Sequence, residues 1–269
     1  MSSNDTEYVT TYRPSLLEPV WRKEQRAALG ITDPLPFHGT DLWNAYEFTW
    51  LNGKGRPEVA QLSLEVPSRS VNMIESKSLK LYLGSYANTR FSDRAEVACR
   101  LETDLTLVAQ APVSVALYTP DQVEQAGIGS MFGQTLDALD IGVEEFCWDP
   151  EHLSVESQNL VKESLYTHLF KSRCPLTGQP DHASILIHYS GKRISHEGLL
   201  RYLISYRDHA DFAEQVTERI YMDIANRCKP DGLSVHAHFS RRGGIDIIPI
   251  LTSKKNSSIV REIDDHTSI

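Results

Sequence analysis

The run Ser172-Arg-Cys-Pro-Leu-Thr-Gly-Gln-Pro-Asp181 puts a thiol and a carboxyl on one short stretch of chain. Cys174 stands between an arginine and a proline, and the Thr177-Gly178 and Pro180 that follow favour turns. A free cysteine usually behaves as a small buried hydrophobe, but this one lacks the apolar neighbours that would place it in a core. A thiol and a carboxyl on one stiff loop can supply a nucleophile and a proton donor. By themselves these residues fit a polar loop equally well, and the rest of the chain has to decide.

Other stretches carry weaker chemistry. Glu75-Ser-Lys-Ser-Leu-Lys80 sits where a strand gives way to a helix. The free N–H groups of a helix start attract anions, and Lys77 and Lys80 share a helix face; a solvated helix start fits the same residues. Arg241-Arg-Gly-Gly244 reads either as a phosphate site, with close backbone approach and adjacent guanidiniums, or as a basic turn at a strand end. Asp211-x-x-Glu214 fits a variant of the capping box. His236 and His238 alternate onto one face of a strand, but no third ligand is spaced to join them, so no metal is expected. Gly127-Ile-Gly-Ser-Met-Phe-Gly133 is spaced G-x-G-x-x-x-G, follows no buried strand and opens no βαβ unit, which excludes a dinucleotide fingerprint.

The elements that must position these groups follow from periodicity. Leu42, Tyr46, Phe48 and Trp50 alternate, with Asn44 interrupting, and predict a strand; Asn52-Gly53 predicts a hairpin turn; Ala60, Leu62, Leu64 and Val66 mark the return strand. Residues 70–83 read as a strand end turning into a helix. A second helix starts near Asp93, with Ala95, Ala98, Leu101, Leu105 and Val108 as its apolar stripe. Residues 113–117 form another strand. The plan then recurs: a strand over 183–189, a helix from Ser195, a helix over 211–227 with Phe212, Val216, Ile220 and Ile224 on one face, and a strand over 233–239. Shifting the chain by 120 residues aligns Leu79, Tyr82, Leu83, Ser85 and Tyr86 with Leu199, Tyr202, Leu203, Ser205 and Tyr206, and Ser114-Val115 with Ser234-Val235. This points to an internal duplication. The expected fold is α+β, with helices on one face of an antiparallel sheet. Residues 1–34 are expected to be a surface arm, 35–150 the first unit and 151–269 the second, with a polar, frayed tail beyond Ser253.

Composition limits the function classes. The 269 residues are 41% hydrophobic and 23% charged, which is ordinary globular usage. A net charge of −9 argues against nucleic-acid binding. No apolar run approaches the roughly 20 residues of a membrane span, and the N-terminus has no signal-peptide pattern. The cysteines at 99, 147, 174 and 228 include no Cys-x-x-Cys pair. Such scattered thiols suggest a reducing cytoplasm.

Taken together, Ile74-Glu-Ser-Lys-Ser-Leu-Lys-Leu-Tyr82, Cys174 with Asp181, Phe212-Ala-Glu-Gln215 and Ser240-Arg-Arg-Gly-Gly-Ile-Asp246 resemble the NADPH-dependent 7-cyano-7-deazaguanine reductases of queuosine biosynthesis. The likeness is to the long, duplicated form (QueF, type II) and runs from about residue 36 to residue 249. Its E-S-K-S-x-K-L-Y element is highly specific for that family. The resemblance implies a tunnelling fold (T-fold) of two tandem units, a homodimer, and four-electron reduction of a nitrile to a primary amine by two NADPH. It implies that Cys174 adds to the nitrile carbon to give a thioimide and that Asp181 protonates the nitrogen. It also implies that Ile74, Glu75, Ser76 and Glu214 hold the deazaguanine, and that Ser76, Lys77, Arg242 and Gly243 bind NADPH.

Two positions depart from the family pattern. Ala213 stands where the family has histidine, and Ile248 where it usually has asparagine. A general acid–base group contributes about 10²–10⁴-fold in rate, so Ala213 raises a second expectation. That is a purine- or pterin-binding protein of the same fold that forms the adduct but turns over poorly. His209, four residues before Ala213, is the candidate substitute.

Overall fold

The computed structural model describes residues 8–126 and 131–253. A 3-10 turn, Pro14–Leu16, leads into β1 (Pro19–Trp21) and α1 (Arg22–Ala27), then β2 (His38–Leu51), β3 (Pro57–Pro67), β4 (Asn72–Ile74), α2 (Ser76–Gly84), α3 (Arg94–Ala109) and β5 (Ser114–Tyr118). After α4 (Pro120–Ala126) and the short β6 (Gln134–Thr135), a second 3-10 turn, Pro150–His152, precedes β7 (Val155–Arg173) and β8 (Pro180–Ile194). The chain ends in α5 (His196–Ile204), a 3-10 turn Ser205–Asp208, α6 (Ala213–Cys228), β9 (Gly232–Phe239) and β10 (Ile245–Thr252). The tail expected to be frayed lies outside the described residues, as do Gly127 to Ser130 of the glycine-spaced stretch.

Eight strands form one sheet in the order β5-β3-β2-β10-β9-β8-β7-β6, antiparallel except where β6 meets β7. The α+β class is as the periodicity predicts. Strand β2 pairs with β10, Ala45 opposite Ile245 and Leu42 opposite Ile248, and this ladder joins the two halves of the chain into one sheet. Ala60, Leu62, Leu64 and Val66 on β3 and Ile185, Ile187 and Tyr189 on β8 belong to one core with Leu79, Leu105, Leu199 and Ile220 of the helices. Helix caps fall where side chains can satisfy the first free N–H groups: Asp93 accepts from Glu96 N, and Ser195 from Gly198 N.

The details differ from the sequence reading in several places. On β2 the inward residues are Trp43 and Ala45, then Phe48 and Trp50, because the register shifts between Ala45 and Phe48. A β-bulge changes the phase of alternation, so Leu42 and Tyr46 fall on the other side from Phe48. The buried row of α3 is Val97, Leu101, Leu105 and Ala109, with Ala95 exposed. The Asn52-Gly53 turn is longer than a two-residue hairpin: Asn52 N bonds Arg56 O at 2.9 Å, and Asn52 Oδ1 accepts from Lys54 N and Arg56 N. The arm is anchored as well as laid on the surface: Leu17 and Ile31 are in the core and Arg22 and Arg26 are buried, while most of its other described residues are exposed. Its polar residues mislead because their partners are other buried charges, which periodicity does not register.

Candidate active site

Strands β7 and β8 pair through Ser172 opposite Asp181, and Cys174 lies two residues past Ser172, on the same face. The turn between them is closed twice, by Cys174 N to Gln179 O and Gly178 N to Cys174 O, both at 2.9 Å. Cys174 and Asp181 are both half-buried and open onto one pocket, which Ile74, Glu75, Ser76, Glu214 and Arg242 also line. Lys77 and Gly243 are outside that wall; Lys77 is exposed and contributes its N–H to Glu75 Oε1 at 2.8 Å.

Glu75 is the N-cap of α2, and its carboxylate accepts from Lys77 N and Ser78 N at 2.8 and 2.6 Å. Each carboxylate oxygen has further lone-pair capacity, so a ligand's N–H groups can still approach. Glu214 occupies the first turn of α6, next to Ala213, and both line the pocket. Burial pushes the Glu214 carboxyl up to about 8, with the Asp41 carboxylate adding to the shift and the Arg22 guanidinium opposing it. The N-cap of α6 is Phe212, without a side-chain cap bond, so Asp211-x-x-Glu214 is not a capping box. Asp211 instead accepts from Arg219 at 2.9 Å and pairs with His209 Nε2 at 2.6 Å. Asp211 lines the pocket and His209 does not.

The Arg241-Arg-Gly-Gly244 stretch is the β9–β10 hairpin turn, closed by Arg242 N to Ile245 O at 2.8 Å. Gly243 and Gly244 have φ of +61° and +83°, the left-handed pair that such a turn requires. Arg242 donates to Asp181 and to Gln179 Oε1, while Arg241 pairs with Glu47 and lies 4.5 Å over the Tyr46 ring. The β2 bulge is tied to this turn, since Tyr46 N donates to Gly244 O at 3.0 Å. Tyr46 and Asn44 donate to Asp246, which also lines the pocket and whose pKa is raised by burial.

Lys80 lines the pocket, although the sequence fits a solvated helix start as well as an anion site there and the family resemblance does not include it among the site residues. Burial lowers its pKa, and the neighbouring Arg242 lowers it further. Trp43, Phe212 and Phe239 supply aromatic walls; Trp43 was hidden by the phase error on β2. Ile248 does not line the pocket. His236 and His238 stack 6.5 Å apart, and burial pushes them down to about 3 and about 4. Among the described residues no group of three metal-binding side chains converges. No helix among them is long and apolar enough to cross a membrane.

The arrangement combines a thiol, a facing carboxyl, two carboxyl groups from different halves of the chain, aromatic walls and two cations. Residues 8–117 match the family described as nitrile reductase, 7-cyano-7-deazaguanine-reductase N-term, and residues 180–258 match the QueF-like protein family. The chain is 47% identical over 249 residues to an NADPH-dependent 7-cyano-7-deazaguanine reductase of Burkholderia multivorans, covering 92% of this chain and 91% of that one. It is 48% identical over 245 residues to the protein of that name from Dechloromonas aromatica, covering 91% and 87%. Identity of this extent, spanning both halves and the pocket between them, makes the chain a member of the NADPH-dependent 7-cyano-7-deazaguanine reductase family.

Proposed function

We propose that this chain reduces the nitrile of 7-cyano-7-deazaguanine to the primary amine of 7-aminomethyl-7-deazaguanine, a step of queuosine (tRNA modification) biosynthesis. The observation that carries the reading is that Cys174 and Asp181 face one pocket with Glu75 and Glu214. In this reading the two units are tandem T-fold units and the cytoplasmic protein works as a homodimer on a free base, with no nucleic acid bound.

Asp181 takes the proton of the Cys174 thiol and passes it to the nitrile nitrogen as the sulfur adds to the nitrile carbon and one C–N π bond breaks, giving a covalent thioimide. A nitrile is a poor hydride acceptor and a protonated C=N a better one, so the covalent step divides a difficult reduction. NADPH supplies the hydrides when bound. Once the first hydride has made the thioimide carbon tetrahedral, the Cys174 sulfur leaves it, and the protonated imine so formed accepts the second hydride to become the amine. Glu75 and Glu214 accept from the ring N–H and exocyclic amine of the base, with Ile74 and Ser76 beside them. For NADPH the residues fit: Lys80 and Arg242 converge on the pocket wall, and a Cβ at Gly243 would lie 3.4 Å from Lys80 Cδ, so the turn is closely seated on this cation. Ser76 and Lys77, at the start of α2, would join them on the phosphates.

A second reading rests on Ala213, which gives the pocket a methyl where an imidazole would sit. A protein so built forms the adduct and turns over poorly. Mixing the protein with 7-cyano-7-deazaguanine and then NADPH separates the two. Thioimide absorbance followed by NADPH oxidation supports the reductase; adduct without oxidation supports the second reading; no adduct rejects both.

A further inference from the structure

The buried aspartate, glutamate and arginine side chains among the described residues are Arg22, Arg26, Asp41, Glu214 and Glu218, and no lysine joins them. They interact as one cluster behind the active-site pocket. Arg22 donates to Asp41 and, through Nε, to Ser70 Oγ at 2.9 Å; its Nη1 lies 3.8 Å from Glu218 Oε1. Arg26 reaches both Glu218 oxygens at 3.1 Å through Nε. Glu218 lies one turn beyond Glu214 on α6, and residues so spaced share a helix face.

The segment that brings the arginines also seats the other substrate carboxylate. Strand β1 pairs with β4, Pro19 opposite Ile74 and Val20 opposite Met73. Glu75 N donates to Glu18 O at 2.9 Å, Glu18 N donates to Ser78 Oγ at 3.0 Å, and Val20 is part of the pocket wall. One short segment therefore touches the α2 start on one side and the α6 acids on the other.

We infer that Arg22, supported by Arg26, is a positioning residue of the active site: from the cluster behind the pocket it sets, against Asp41 and Glu218, the charge that Glu214 presents to the bound base. The inference rests on Glu214 being a substrate carboxylate, as proposed above. Two guanidiniums against three carboxyl groups leave one negative charge in excess, and excess buried charge is relieved by holding a proton. Glu214 is the carboxyl of the three that opens on the pocket, and it keeps that proton up to about pH 8. A base presenting N–H donors needs the ionised form, so binding must release the proton. Stability alone does not account for five buried charges, because apolar replacements of buried ion pairs are often equally stable. The charged groups around Glu214 are Arg22 on α1, Asp41 on β2 and Glu218 on its own helix. Across the pocket stand Glu75, Lys80, Cys174, Asp181, Asp211, Arg242 and Asp246.

The test reads Glu214 directly. In the full-length protein with ¹³C-labelled glutamate carboxyl groups, the Glu214 resonance is identified by its loss in Glu214→Gln and titrated in wild type, Arg22→Met and Glu218→Gln. Removing the cation should move the titration to higher pH, and removing the anion should move it to lower pH. A merely structural staple would not shift one ionisation in opposite directions. KM for 7-cyano-7-deazaguanine should follow: a shift of one pH unit in this titration changes KM about tenfold on its acid side, with kcat at saturation little changed. Shifts in the same direction, or none, overturn the inference. Should Arg22→Met not fold, the isosteric Glu218→Gln decides alone: a downward shift supports the inference and no shift overturns it. Opposed shifts in a wild-type protein that forms no nitrile adduct would uphold the charge assignment and reject the nitrile reading.

Discussion

In the first half of the chain Tyr12 donates to Asp104 at 2.6 Å, Arg13 N bonds Ser85 Oγ at 3.1 Å, and Glu75 N bonds Glu18 O at 2.9 Å. In the second half Trp148 donates to Asp223 at 3.1 Å, Asp149 N bonds Ser205 Oγ at 3.2 Å, and Ser195 N bonds Ser154 O at 2.9 Å. Each unit thus has the same head, an aromatic residue followed by a 3-10 turn, clasping its first helix. The long helices α3 and α6 both end on a left-handed non-glycine residue, Gln110 and Lys229. The halves part where chemistry is needed. The cap of the first helix is Glu75 in one and Ser195 in the other. The β7–β8 turn carries Cys174, whereas the β2–β3 turn carries Asn52 bonded to Glu58 at 2.8 Å. After the shared head, only the first half inserts α1 with Arg22 and Arg26. The same frame occurs in both halves, and the pocket draws different parts from each.

The most damaging way to test this division of labour is to remove the groups that only the second hairpin has. Cys174→Ala should abolish both adduct and NADPH oxidation, a loss beyond about 10³-fold, with an unchanged circular dichroism spectrum and melting temperature. Nitrile reduction by that variant would refute the assigned nucleophile. Asp181→Asn should slow adduct formation, and turnover with it, by about 10²–10⁴-fold, measured by single-turnover absorbance. The corresponding change in the first hairpin, Asn52→Ala, should leave turnover within a factor of about two. A loss comparable with that of Asp181→Asn would mean that the first hairpin also takes part.

Ala213→His tests the pocket position at which the family resemblance leads one to expect histidine. The side chain opens on the pocket beside Glu214, so an imidazole there should raise kcat by about 10-fold or more, up to the range of a general acid–base group. His209 is held to Asp211 at 2.6 Å; if that pair already does the work, Ala213→His changes little and His209→Ala causes the loss instead.

How much of this was legible depended on whether the determining contact was local. Residues 76–84 and 196–204 repeat at an offset of 120, and their Leu and Tyr spacing showed it. The heads escaped notice because they are 136 residues apart, Tyr12 against Trp148, the first unit alone inserting α1 and the segment after it between head and first long strand. Strand β7 was missed because most of its residues are at least partly exposed, so no clean alternation marks it. Strand β10 was missed because its apolar residues run almost continuously. Cys174, Asp181, Glu75 and Glu214 stand out by residue type and local setting, but their expected roles come only from the family resemblance. Arg26 and Glu218, 192 residues apart, have no local pattern that could connect them.

The smallest effect concerns the frame itself. Tyr82 bonds Tyr86 at 2.6 Å and Asp104 at 2.7 Å, and Tyr202 bonds Tyr206 at 2.7 Å and Asp223 at 2.6 Å. All four rings are fully buried. Tyr82→Phe leaves Asp104 with the Tyr12 hydroxyl at 2.6 Å, a short and well-formed bond. Tyr202→Phe leaves Asp223 with only the longer Trp148 bond, and burial already raises the Asp223 pKa. The expected costs are about 1 kcal/mol for Tyr82→Phe and about 2–3 kcal/mol for Tyr202→Phe, or melting-point falls of roughly 2–4 °C per kcal/mol. A carboxyl whose folded pKa is raised stabilises the fold below its unfolded pKa and loses that contribution as pH rises through the folded value. The Tyr202→Phe deficit should therefore shrink in acid, where Asp223 is neutral, and grow as pH rises and Asp223 ionises. Thermal melts of both variants between pH 4.5 and pH 8 decide it. Equal deficits at every pH would mean that the two knots are interchangeable and that the halves differ only at the pocket.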